Sequence, residues 1–242
     1  MLADARSTGY SGSLAPELHL RHEQLYQLLE FIANQLPPWR DHPDRPAESS
    51  ERRLTDQLCD HLNSAARKSS VWDILQFRTE IPDEGSRSRS IDLSANPCAT
   101  TVFIEGRRHT QFDMVLPIEC KRLPTPDDPK RDEREYVISQ EASTGGIHRF
   151  KLGAHGENHV LAGMIAYIQA ETVSVWRKRI AGWVTDLAKT DTSWTIAECP
   201  TEVGVDKRRG LAALRSNHPR AQGLPDIEIR HLWIVMKRAF RP

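Results

Sequence analysis

Long apolar runs are absent. No stretch of the 242 residues approaches the ~18 consecutive apolar positions that a membrane-spanning helix needs. The opening "MLADARSTGYSGSL" likewise lacks the apolar core of a secretion signal. Both absences exclude a membrane partner and lead to the expectation of a cytoplasmic protein. Cysteine is scarce and scattered: Cys59, Cys98, Cys120 and Cys199 form no C-x-x-C pair, which argues against a zinc ribbon or a disulfide framework and fits reduced thiols. Net charge is also missing, because 33 basic residues balance 33 acidic ones. The whole molecule therefore exerts no pull on a polyanion, and any nucleic-acid binding needs a local basic cleft. Arginines and lysines do cluster in "GSRSRS" (Arg87, Arg89), "CKRL" (Lys121, Arg122) and "DKRRG" (Lys207, Arg208, Arg209), although such runs are most often solvated surface.

The residues present describe an ordinary globular chain, 38% hydrophobic and 27% charged, without internal repeats or low-complexity segments. A single domain is expected, with residues 1–50 supplying an N-terminal helix and a proline-rich loop to the body formed by residues 51–242. Apolar spacing at Leu18, Leu25, Leu28, Leu29, Ile32 and Leu36 predicts a first helix that stops at Pro37-Pro38. "PPWRDHPDRPAESS" reads as a loop whose serines can cap a second helix, "ERRLTDQLCDHLNSAAR". Strands are expected in "ILQFRTEI", "SIDLSA", "TTVFIEG", "MVLPIECKRL" and "DIEIRHLWIVMKRAF", with "PDEGSRSRS" as a loop. Gly145-Gly146 reads as a turn. Val160, Leu161, Met164, Ile165 and Ile168 form a helical stripe, and a further helix runs through "VSVWRKRIAGWVTDLAK". Strands and turns between helices indicate an α/β or α+β sandwich.

The chemistry centres on "LPIECKRL". In a strand, residues two apart share a face, so Glu119 and Lys121 stand side by side while Ile118 and Cys120 point the other way. The pair is either an ion pair on a surface, worth little energetically, or a reactive site. Asp92 lies inside its own strand signal, and Asp113, its rival as a partner for Glu119, reads as a turn residue. On the second helix Glu51 shares the face of Leu54, Leu58 and Leu62, where it either complements the helix dipole or joins a site. Mg²⁺ or Mn²⁺ takes one or two carboxylates plus water and phosphate oxygens, which Asp92 and Glu119 can supply. A neighbouring lysine can orient the attacking water and offset charge developing on phosphate.

Helix Glu51, strand Asp92 after an arginine-rich turn, and Glu119-x-Lys121 on an apolar strand together resemble the PD-(D/E)xK nuclease superfamily. The resemblance covers about Glu51 to Tyr167. It extends to "GGIHRFKLGAHGENHVLAGMIAYI", which is similar to a segment that follows an E-C-K-R-L strand in small bacterial nucleases. It implies an α/β, restriction-endonuclease-like fold, a mixed central β-sheet flanked by helices. It also implies a metal held by Asp92, Glu119 and the carbonyl of Cys120, with Lys121 as catalytic lysine and Glu51 as supporting acid. The activity implied is Mg²⁺- or Mn²⁺-dependent hydrolysis of nucleic acid, DNA in the first place, in a restriction or anti-phage system, with targeting from a partner protein or a homodimer. Arg149 suits a phosphate through its guanidinium fork, or else caps a helix. Arg89, Arg122, His218 and Arg220 are further phosphate candidates, the last two alternating with Ser216 in "SNHPR". His231 reads as a buried partner of a carboxylate or, as a lone histidine among apolar neighbours more often is, a satisfied core residue. Rival readings are an inactive nuclease-fold binding or scaffold subunit, and a sugar-cleaving pair of Glu105 and Glu119 that lacks an aromatic platform.

Overall fold

A computed structural model describes residues 23–83, 86–99, 101–104, 106–128, 131–139, 145–221 and 223–236. The first described element, α1 (Glu23–Arg40), buries Leu25, Leu28, Leu29, Ile32 and Leu36 at helical spacing. Leu18 lies outside the described residues. The expected stop at Pro37-Pro38 is corrected: both prolines sit inside the helix, which runs on to Arg40. A proline inside a helix costs about 3 kcal/mol, and tertiary contacts offset it here. Trp39 is enclosed against Tyr167, with ring centroids 5.6 Å apart. Beside it Arg40 Nη1 donates to the carbonyls of Arg209 and Val235, each at 2.9 Å. The second helix, α2 (Glu51–Arg67), begins as the sequence indicates, with the Ser50 hydroxyl accepting from the backbone N–H of Arg53. Its buried stripe of Leu54, Leu58 and Leu62 packs on the sheet, each leucine contributing about 2 kcal/mol of apolar burial.

The sheet begins with β1 (Leu75–Asp83) and β2 (Ser86–Pro97), an antiparallel pair in register from Leu75↔Pro97 to Pro82↔Ser90, after which the register shifts to Asp83↔Ser86. The loop expected over residues 82–90 is therefore corrected, because β2 already starts at Ser86. Its polar composition resembles a loop, but strands can form through backbone pairing without an apolar face, as at Pro82↔Ser90 and Asp83↔Ser86. Next come β3 (Val102–Ile104) and β4 (Arg107–His109), a separate two-stranded hairpin, and then β5 (Leu116–Leu123). The Gly145-Gly146 turn is the start of a short helix, α3 (Gly146–Lys151). A Cβ at Gly145 would stand 2.3 Å from the Ile138 Cα, so this backbone approach needs glycine.

The largest correction concerns the helical stripe at residues 160–168, which is strand β6 (Leu161–Ile168) with every residue buried. A short, wholly apolar run has no period that separates a helix from a strand covered on both faces. The remaining elements are α4 (Val173–Thr190), a single 3₁₀ turn at Ile196–Glu198, β7 (Thr201–Asp206), β8 (Leu211–His218) and β9 (Ile227–Val235).

The seven strands lie in the order β1-β2-β5-β6-β9-β8-β7. Neighbours β5, β6 and β9 run parallel and the outer pairs antiparallel, so the sheet is mixed. Residues of β6 alternate between two cores. Leu161, Ile165 and Tyr167 join α1 and α2 on one face, while Ala162, Met164, Ala166 and Ile168 join α3 and α4 on the other. The architecture is thus α/β, a mixed sheet flanked by helices. No helix among the described residues is long and apolar enough to cross a membrane.

Candidate active site

Strand β5 sets the geometry. Ile118 and Cys120 are buried in the core shared with α1 and α2, which leaves Glu119 and Lys121 on the opposite face. Pairing with β2 runs only from Leu116 to Ile118, so the N–H groups of Cys120 and Arg122 have no strand partner on that side. Carboxylates replace it. Asp92 Oδ2 accepts from the Cys120 N–H and Glu51 Oε2 from the Arg122 N–H, both at 2.8 Å. The sheet's own unpaired donors thus draw two acids, remote in sequence, to the strand that carries Glu119 and Lys121.

At the centre stands the Lys121 ammonium. Its Nζ lies 2.8 Å from Glu119 Oε1, 3.4 Å from Glu51 Oε1 and 3.6 Å from Asp92 Oδ2, and it donates to the Cys120 carbonyl at 3.1 Å. Burial alone would lower its pKa, but Glu119, Asp92 and Glu51 hold it well above the ordinary lysine value.

Glu119 is fully enclosed. Besides Lys121, Arg149 Nη1 donates to its Oε1 at 2.8 Å, and His155 Nδ1 comes within 3.2 Å of Oε2 without the alignment of a hydrogen bond. Burial pushes this carboxyl up, but Lys121, His155 and Arg149 together outweigh it and hold it below the usual carboxylate range. Arg149 comes from α3 and His155 from the turn after it, where its own N–H bonds the Arg149 carbonyl at 3.1 Å. His155 was missed in the sequence. "LGAHGEN" carries no helical or strand period, and its one signal is a histidine between glycines.

Asp92 behaves differently. It keeps 28% of its side chain open, and it lines a cleft of about 200 Å³ with Glu51, Arg52, Thr55, Asp56, Thr79 and Glu80. Burial, reinforced by the charge of Glu119, pushes its carboxyl up to about 6. Glu80 on the cleft wall has φ 50, a conformation strained for a residue with a Cβ, and its carboxylate pairs with Arg52 at 3.0 Å.

Among the described residues no three His, Cys, Asp or Glu side chains gather closely enough to hold a metal ion by themselves. Mg²⁺ and Mn²⁺ make a smaller demand, one or two carboxylates with water and substrate oxygens completing the shell. Asp92, Glu119 and the Cys120 carbonyl could supply those protein oxygens. All three lie within 3.6 Å of one Nζ, and Glu119 Oε2 is a buried oxygen without a hydrogen bond.

The structure therefore brings together Glu51, Asp92, Glu119, Cys120, Lys121 and Arg149. Arg122 is adjacent, but its guanidinium is tied to the carbonyls of Pro124 and Ser49. Arg89 is exposed on β2. Asp113 lies apart, in a turn where its Oδ2 accepts from the N–H and hydroxyl of Thr110, each at 2.7 Å. His218 and Arg220 require a correction, since burial denies both a phosphate. His218 closes the end of β8 against Glu198 at 2.8 Å, and Arg220 donates to the carbonyls of Pro225, Gly156 and His159. Ser216 and His218 alternate on the pleat of β8, whose end turns this face into the core, and Arg220 lies two residues past the strand. His231 is buried between Tyr136 and Ser216, each at 2.8 Å. Glu105 lies outside the described residues. Comparison with protein-family models, curated proteins and solved structures finds no match to this chain.

Proposed function

We propose that the chain is a metal-dependent nuclease with a restriction-endonuclease-like fold, cutting phosphodiester bonds in nucleic acid, DNA in the first place. One observation carries the reading: Glu51, Asp92 and Glu119, spread over 69 positions, converge within 3.6 Å of the single ammonium of Lys121. When bound, Mg²⁺ or Mn²⁺ supplies Lewis-acid stabilisation of charge on a phosphate oxygen. Asp92, Glu119 and the Cys120 carbonyl would hold it. Lys121, ionised by its three acids, orients the attacking water, and Glu51 fixes the lysine while capping the Arg122 N–H. Arg149 keeps Glu119 ionised and brings a guanidinium to where a phosphate would lie. By resemblance, the setting is a restriction or anti-phage system, with a partner protein or a second copy supplying the targeting.

A second reading has an observation of its own. Glu119 is already surrounded by Lys121, Arg149 and His155, which suits an inactive binding or scaffold subunit that keeps the charges balanced without a metal. Cleavage of supercoiled plasmid and single-stranded DNA with Mn²⁺, by wild type and a folded Lys121→Ala, tests the first reading, alongside calorimetric Mn²⁺ titration of wild type and Asp92→Ala. Cutting that Lys121→Ala loses, with Mn²⁺ binding that Asp92→Ala loses, is the expected result. A wild type that binds no Mn²⁺ and cuts nothing leaves the scaffold reading standing.

A further inference from the structure

Large apolar side chains are mostly inside this molecule, yet two phenylalanine rings of one short unit are not. Phe103 is 65% exposed and Phe112 83%, whereas Phe77 and Phe150 are buried. The unit presents them deliberately. In the β3–β4 hairpin Val102 faces His109 across the strands, both buried, so the outer face carries the opposed pair Phe103 and Arg108. A cross-strand pair stands about 5 Å apart, close enough for ring and guanidinium to act together. Phe112 projects from the turn that Asp113 and Thr110 hold together.

The hairpin also lies beside the candidate active site. Arg107 Nη1 reaches the Asn158 carbonyl at 3.4 Å, and Asp83, at the end of β1, accepts from the Gly156 N–H at 3.3 Å. The hairpin and the β1–β2 arm, with its exposed Arg89, therefore meet the same segment, the one that places His155 against Glu119. Arg107 and Arg108 are both exposed, and Asp113, the one described carboxylate of the unit, is engaged with Thr110.

We propose that this hairpin is a docking platform for single-stranded nucleic acid, with bases stacking on Phe103 and Phe112 and phosphates meeting Arg108 on the same face and Arg89 on the adjoining arm. Every base has a π-face, so rings of this kind bind strands with little regard to sequence, and the arginines add attraction to the backbone. A duplex keeps its base faces stacked inside and offers the rings nothing, which makes the platform selective for unpaired strands. The proposal rests on the nuclease reading and deepens it by naming the substrate class.

Its test is binding without cleavage: fluorescence anisotropy of a labelled 20-nucleotide oligo(dT) and of a 20-base-pair duplex, with the full chain in EDTA. The expected result is tighter binding of the single strand, weakened about tenfold or more in the double variant Phe103→Ala, Phe112→Ala. Arg108→Gln should lower the slope of log K against log salt for oligo(dT) by roughly 0.7. Both phenylalanines are exposed, so circular dichroism should show the variants folded. Equal affinity for the duplex, or a double variant that binds oligo(dT) like wild type, overturns the platform. So does an absence of binding, and sedimentation showing a dimer that the double variant loses would assign the face to self-association instead. Binding in EDTA is independent of catalysis. A chain that binds through the rings but cuts nothing keeps the platform and loses the nuclease reading, and the opposite outcome spares the nuclease alone.

Discussion

Two buried polar centres lie on either side of α3, and they are built on opposite rules. One is the Glu119 site. The other is a chain of hydrogen bonds through the second core: Trp233 Nε1 to the Tyr136 oxygen at 2.7 Å, Tyr136 to His231 Nδ1 at 2.8 Å, His231 Nε2 to Ser216 at 2.8 Å, Ser216 to His218 Nε2 at 2.7 Å, and His218 Nδ1 to Glu198 at 2.8 Å. Indole nitrogen only donates, so the protons can run in one direction along the whole chain, an arrangement that needs both histidines neutral. Lys151, two residues after Arg149, completes it with a bond to Glu198 at 2.6 Å. Here each donor meets an acceptor in a closed core. At the Glu119 site one oxygen has no hydrogen bond, carboxylates crowd together, and Asp92 faces a cleft. A satisfied network is what stability favours, and an unbalanced one beside a cleft is what a ligand can complete.

The contrast can be broken at either centre. Substituting Lys121 by Met should lower Mn²⁺-dependent cleavage by about a hundredfold or more, and it should also lower the urea midpoint, because Glu119 stays buried with Arg149 as its remaining ion-pair partner of fixed charge. At the closed centre Glu198→Ala should lower stability and leave cleavage near wild type. It strands Lys151 and His218 in the core and should cost about 3–5 kcal/mol in urea unfolding. The same network predicts a pH dependence. Burial, helped by nearby His218, lowers His231 to about 3, so the unfolded chain binds a proton that the native one refuses from pH 6.5 downward. Stability is therefore complete above pH 6.5 and falls towards pH 3, by about 2 kcal/mol between pH 7.5 and 5. Unfolding titrations of wild type and His231→Gln at those two pH values check the sign, and the variant's profile should be flatter.

Asp92→Asn sharpens the comparison most directly. Removing one charge of a crowded pair should raise stability by about 1 kcal/mol or leave it unchanged, while abolishing cleavage and Mn²⁺ binding. A large loss of stability would place Asp92 among the structural acids, with Glu198. The smallest effect is expected at Glu80→Gly, where relief of the positive φ should gain roughly 1 kcal/mol or less in thermal unfolding.

Legibility followed the range of the interactions involved. Helix α2 was readable because Ser50, Glu51 and the leucine stripe lie within a few turns of one another. Glu119 and Lys121 were readable as neighbours because strand alternation is local. Strand β6 was not. Its eight apolar residues suit a helix or a strand equally, and only parallel neighbours on both sides decide for the strand. Pro37 and Pro38 misled for the same reason, since Trp39 and Arg40 find their partners far along the chain. His218 and Arg220 had a readable alternation but no readable side: the pleat of β8 turned His218 inward, and backbone carbonyls beyond the strand drew in Arg220.

The amino-acid order by itself determined the α2 helix and its cap, the apolar strand on which Glu119 and Lys121 share a face, and an even balance of charge. It named the acids without bringing them together. Tertiary structure decided that Asp92 and Glu51 should fill the hydrogen-bonding positions that β2 leaves vacant beyond Ile118, and that α3 should carry Arg149 and His155 to Glu119. The reason is physical. Local spacing fixes which way a side chain points, but an unpaired backbone donor in a buried strand must find its acceptor wherever the fold provides one.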